Sequence, residues 1–64
     1  MKKIVYDVVV LRHVKTGEAT ETSIVQEKRV LANNDQEVVM ATAMGLSDEL
    51  RANPKEIEIL VRPF

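Results

Sequence analysis

The chain has no cysteine and no tryptophan, one tyrosine, one phenylalanine, one histidine, two glycines and two prolines. Without Cys there is no disulfide staple, and a lone His13 with no Cys beside it cannot build an ordinary structural zinc site. With Tyr6 and Phe64 as the only aromatics, the sequence lacks a base-stacking platform. Nine basic and ten acidic residues leave a net charge of −1, and these charges are scattered, so the basic footprint of a nucleic-acid binder is missing too. Gly17 and Gly45 stand far apart, which excludes a glycine-rich phosphate loop. Long apolar runs are lacking as well. Met1-Lys2-Lys3 leads into a stretch interrupted by Asp7 and Arg12, too short and too polar for a signal peptide or a membrane span. The expectation is a soluble, intracellular protein with no nucleic-acid or membrane partner.

What remains is enough for one small domain spanning residues 1–64. A domain of this size buries a modest fraction of its surface and is marginal alone. With disulfides and zinc excluded, oligomerisation is the remaining common staple, so a homo-oligomer is expected.

The stretch from Lys3 to Arg12 is the most informative. Side chains of a strand alternate between its faces. Ile4, Tyr6, Val8 and Val10 then line one side, and Val5, Val9 and Leu11 the other, where Asp7 is the one interruption. A β-branched run that is apolar on both faces reads as a central strand. Around Gly17 the chain turns, because glycine takes the positive φ that tight hairpins demand. A second strand lies within Ala19 to Leu31, and its many charges mark it as a protected edge. Two registers fit. A two-residue Thr16-Gly17 loop sets Arg12 opposite Glu21 and Val8 opposite Val25. A three-residue Thr16-Gly17-Glu18 loop sets Val10 opposite Ile24, Ile4 opposite Val30 and Asp7 opposite Glu27, exchanging the buried face of the second strand.

Asn34 followed three residues later by Glu37 is a capping-box pattern, and Asp35 favours the positive end of a helix dipole. From there Val39, Ala43, Leu46 and Leu50 form an apolar stripe expected to face the sheet. Gly45 is either tolerated within one helix reaching about Arg51 or ends it, with Ser47 capping a second short turn. Met40, Met44 and Ala41 add apolar surface behind the stripe. They either fill gaps at the edge of the core or meet a partner. Asn53-Pro54 stops the helix. The last stretch alternates, with Ile57, Ile59 and Val61 on one side, Glu56, Glu58 and Arg62 on the other, and Leu60 breaking the polar side.

These elements predict an α+β fold, β-β-α-β, with a three-stranded antiparallel sheet of order 2-1-3 and one helix on one face. The face carrying Val5, Val9, Leu11 and Leu60 then lacks cover, and a contiguous apolar patch of that kind marks an interface. The expected interface residues are Val5, Asp7, Val9, Leu11, Leu60, Met40 and Met44. Asp7, a carboxylate inside that patch, should pair with a base such as Lys28 or contact a partner. His13 lies near the turn, with Glu18 and Glu21 as conceivable acid–base companions, but a surface histidine at a strand end is the ordinary reading. Ser23 and Ser47 lack a neighbouring base. No catalytic, cofactor-binding or metal-ligating set emerges, and the expectation is a protein that is not an enzyme.

Val30-Leu31-Ala32-Asn33-Asn34-Asp35-Gln36-Glu37 followed by an Ala-rich helix, with Glu58-Ile59-Leu60-Val61-Arg62-Pro63-Phe64 after it, resembles short open reading frames of tailed bacteriophages that carry no assigned activity. The resemblance covers the second half of the chain and implies a viral origin, hence a place in the cytoplasm of the infected host cell or in the virion. Two function classes follow. One is a self-associating virion protein that decorates or cements a capsid, and the other a small soluble binder that modulates a host or phage protein.

Overall fold

The computed structural model describes residues 2–64. A long hairpin of β1 (Ile4–Thr16) and β2 (Ala19–Ala32) is followed by helix α1 (Asp35–Met44), a single turn α2 (Asp48–Arg51), a 3-10 turn (Pro54–Glu56) and β3 (Ile57–Pro63). The sheet order is β2-β1-β3 and both pairings are antiparallel. The predicted α+β architecture and strand order are thus the observed ones, with the doubly apolar strand in the centre.

The hairpin register differs from both sequence-based alternatives. Its loop is Gly17-Glu18, since Thr16 pairs with Ala19. Gly17 has φ of 64° and is the only described residue at positive φ. A two-residue turn with positive φ at its first central position alone is the type II′ pattern, which places glycine first in the loop. Centring the loop on Thr16-Gly17 put that glycine second. A β-bulge adds a further slip: Leu11 faces Ile24 but Val10 faces Gln26, so Val25 is the extra residue. One inserted residue exchanges the faces of everything beyond it. Val30 and Ala32 thereby join the helix side, and Asp7 faces Arg29 instead of Glu27.

Along β1 the expected alternation holds at the centre. Tyr6, Val8 and Val10 are buried with Ala32 and Val38, and Val30, Leu46, Ile57, Ile59 and Val61 pack against them. Ile4, expected on this covered face, pairs with the buried Ala32 but is itself 43% exposed.

The helix meets the sheet through a different stripe from the one predicted. Val38 and Thr42 are fully buried, while Val39 is 39% exposed. Position 42 holds a polar residue and so drops out of a purely apolar tally, although the methyl group of threonine packs like that of valine. Choosing Val39 over Val38 rotated the helix by one position. Ala43, Leu46 and Leu50 from the predicted stripe are half-buried.

Gly45 ends α1. Its N–H bonds the carbonyls of Ala41 at 3.1 Å and Thr42 at 3.2 Å, and its φ is −86°, so it serves here as an ordinary C-cap. Ser47 then caps α2 through Leu50 N–H at 3.4 Å. At the other end Asn34 Oδ1 accepts from Glu37 N–H at 2.9 Å, as the capping pattern requires. The Glu37 carboxylate reaches one residue further back than in a standard box, to the Asn33 side-chain amide at 3.1 Å. Arg12 fastens the α2 region to the sheet, with Nε donating to Glu56 Oε1 at 3.2 Å and Nη1 lying 3.6 Å from Glu49.

Candidate interaction surface

Pleat alternation puts Val5, Asp7, Val9 and Leu11 on the face of β1 turned away from α1. On β3, Leu60 pairs with Val9 and Arg62 with Asp7, so both lie on that same face. Five of the seven sequence-predicted interface residues, Val5, Asp7, Val9, Leu11 and Leu60, are therefore brought together. Met40 and Met44 are 66% and 75% exposed, but they sit on the helix layer and do not join the patch.

The bulge adds residues that the sequence reading missed. Beyond it Glu27, Arg29 and Leu31 pair with Val9, Asp7 and Val5 and so share the outer face, and on the near side Ile24 lies opposite Leu11. Only the bulge position would have revealed this, and a bulge leaves no signal in a single run of polar and apolar residues.

The outer face is accordingly apolar at both ends and ionic in the middle. Arg29 Nε donates to Asp7 Oδ1 at 3.1 Å, which supplies the base expected for Asp7 from the neighbouring position to Lys28. The Arg29 guanidinium also stacks 3.9 Å from the centre of the Phe64 ring, a cation–π contact. Phe64 is 70% exposed, so it lies over this surface and contributes nothing to the core. The sheet edge near the turn carries a second polar link. His13 Nδ1 lies 2.7 Å from Thr22 Oγ1, and its Nε2 lies 2.8 Å from Glu58 Oε1. The imidazole is thereby held between β2 and β3, and Glu18 and Glu21 are not its partners in these contacts.

On the helix side an open apolar groove of about 620 Å³ runs between β3 and the helices, lined by Val39, Ala43, Met44, Leu46, Leu50, Arg51, Pro54, Ile57 and Ile59. Met44 contributes to this groove, not to the sheet face.

Among the described residues no three His, Asp or Glu side chains converge as a metal site, and no helix is long and apolar enough to cross a membrane. Comparison with known proteins finds no matching family model, no matching curated protein and no matching solved structure.

Proposed function

We propose that the protein acts without catalysis, through protein–protein contacts that include association with itself, and that the outer sheet face is the surface it uses. The observation that carries this reading is the one-sided cover of the sheet. Tyr6, Val8 and Val10 are buried under the helix, whereas Val5, Leu31 and Leu60 on the opposite face stay exposed. Apolar side chains around an ionic centre suit a specific contact, because burial supplies affinity and the Asp7–Arg29 pair penalises a mismatched partner.

The resemblance to tailed-phage reading frames supports a virion-associated role, with the face docking on repeated subunits of a capsid. The alternative is a soluble binder made during infection that engages a host or phage protein through the same face. Mass spectrometry of purified virions separates the two: stoichiometric copies support the first, and absence overturns it. The contact itself is tested by Val9→Glu in sedimentation equilibrium. The substitution is expected to lower the oligomeric mass of the wild type while circular dichroism stays native; an unchanged mass overturns the use of this face in self-association.

A further inference from the structure

The two edges of the sheet differ in kind. The β2 edge carries Glu21, Glu27, Lys28 and Arg29 and is kinked by the bulge at Val25, the devices by which proteins keep an edge from pairing. The β3 edge is short and free of bulges, carries one charge of each sign at Glu58 and Arg62, and lines the groove beneath the helices with its Ile57 and Ile59.

The direction of its backbone groups follows from one bond. Phe64 donates its N–H to the Val5 carbonyl at 2.9 Å, and successive residues of an antiparallel strand point their N–H and C=O groups to alternate edges. Glu58, Leu60 and Arg62 therefore address β1, while Ile59, Val61 and Pro63 address the open side. The Ile57 N–H is already bonded to the Pro54 carbonyl, and Pro63 has no N–H to offer. Ile59 and Val61 hold the outward donors of this edge.

We infer that two copies of the chain join their sheets edge to edge through β3, antiparallel about a two-fold axis at Leu60. In that register Ile59 donates to the carbonyl of the second copy's Val61, Val61 donates to that of its Ile59, and the symmetry repeats both bonds. Leu60 meets its own copy. Glu58 stands opposite the second copy's Arg62, and Arg62 opposite its Glu58, so both charged positions of the strand find the opposite sign. Neighbouring registers lose this match: an axis at Ile59 sets Glu58 against Leu60, and an axis at Val61 sets Leu60 against Arg62. Both charges are available. Glu58 uses only Oε1 for His13, and Arg62 has no ion pair among the described residues. The product is a continuous six-stranded sheet, with the groove of each copy facing that of the other and the outer face doubled in width. This pairing rests on the self-association proposed above and names the contact that begins it.

The test is a charge exchange followed by sedimentation equilibrium on the full chain. Glu58→Arg alone opposes two arginines at each site, and Arg62→Glu alone opposes two glutamates. Each single variant is expected to raise the dimer Kd about tenfold, since an attractive cross-strand pair becomes repulsive at two symmetric places. Mixed in equal amounts, the two variants present arginine to glutamate at both places, and the heterodimer is expected to return to within about threefold of the wild-type Kd. Misfolded variants would not recover on mixing, so the mixture controls for stability. An associated wild type whose Kd neither variant moves, or variants that stay weak when mixed, overturn the edge pairing alone and leave self-association through another surface. A wild type that remains monomeric up to millimolar concentration overturns both.

Discussion

Thr42 offers the sharpest test of how the helix layer is held. Its side chain is fully buried against the sheet, and its Oγ1 has no hydrogen-bond partner. A hydroxyl taken out of water without a replacement bond costs about 1–3 kcal/mol. Thr42→Val keeps the branched shape, exchanges the hydroxyl for a methyl and leaves helix propensity nearly unchanged, since both residues are β-branched. The desolvation cost is thus the main quantity that changes. The variant is expected to be more stable by about 1–2 kcal/mol, which in a domain of this size raises Tm by about 4–8 °C for each kcal/mol. Urea unfolding at fixed protein concentration measures it directly, as an increase in midpoint at constant slope. Thr42→Ser is the companion variant. It keeps the hydroxyl, deletes the buried methyl and should lose about 1 kcal/mol. If valine destabilises while serine is tolerated, the hydroxyl is bonded in solution and the reasoning fails.

Two further substitutions probe the local devices that set the fold. Asn34→Ala removes the acceptor 2.9 Å from the Glu37 N–H and should cost about 1 kcal/mol in urea unfolding; no change would mean that the cap does not hold the end of α1 in solution. Gly17→Ala places a side chain at φ of 64°, where nothing lies within 4 Å of the added Cβ, so any loss is backbone strain alone, about 1–2 kcal/mol. An alanine variant as stable as the wild type in urea unfolding would refute a strain origin.

The strand order was legible because Lys3 to Arg12 is apolar on both faces and only a central position satisfies such a strand. The helix boundary at Asn34 was legible because capping is local chemistry. Two kinds of information were not available from the sequence. The hairpin register depends on which loop position takes positive φ and on a bulge at Val25, and each is a decision about a single residue with consequences for every residue after it. The orientation of the helix turned on Thr42, whose polar class hid an apolar contact. The candidate surface shows the same division: Val5, Asp7, Val9, Leu11 and Leu60 followed from alternation along regular strands, whereas Arg29 and Leu31, and with Arg29 its contact to Phe64, required the bulge to be placed.

The bulge also changes what the uncovered face means. Carrying the loop register onward without it would set Lys28 opposite Asp7, turn Arg29 toward the helix side opposite Tyr6, and send Val30 and Ala32 to the outer face. With the extra residue in place, Arg29 pairs with Asp7 on the outer face and lies over Phe64. The same insertion therefore brings Val30 and Ala32 to the helix side, where they join the core, and makes Arg29 the partner of Asp7 while Lys28 lies opposite Val8. An all-apolar face stacks on any other apolar surface. A face with a fixed ion pair between Val5 and Leu31 at one end and Leu11 and Ile24 at the other accepts only a partner that leaves that pair solvated or matches it. The make-up of the core on the β2 side and the identity of the outer ion pair thus have one structural cause, the single unpaired residue at Val25.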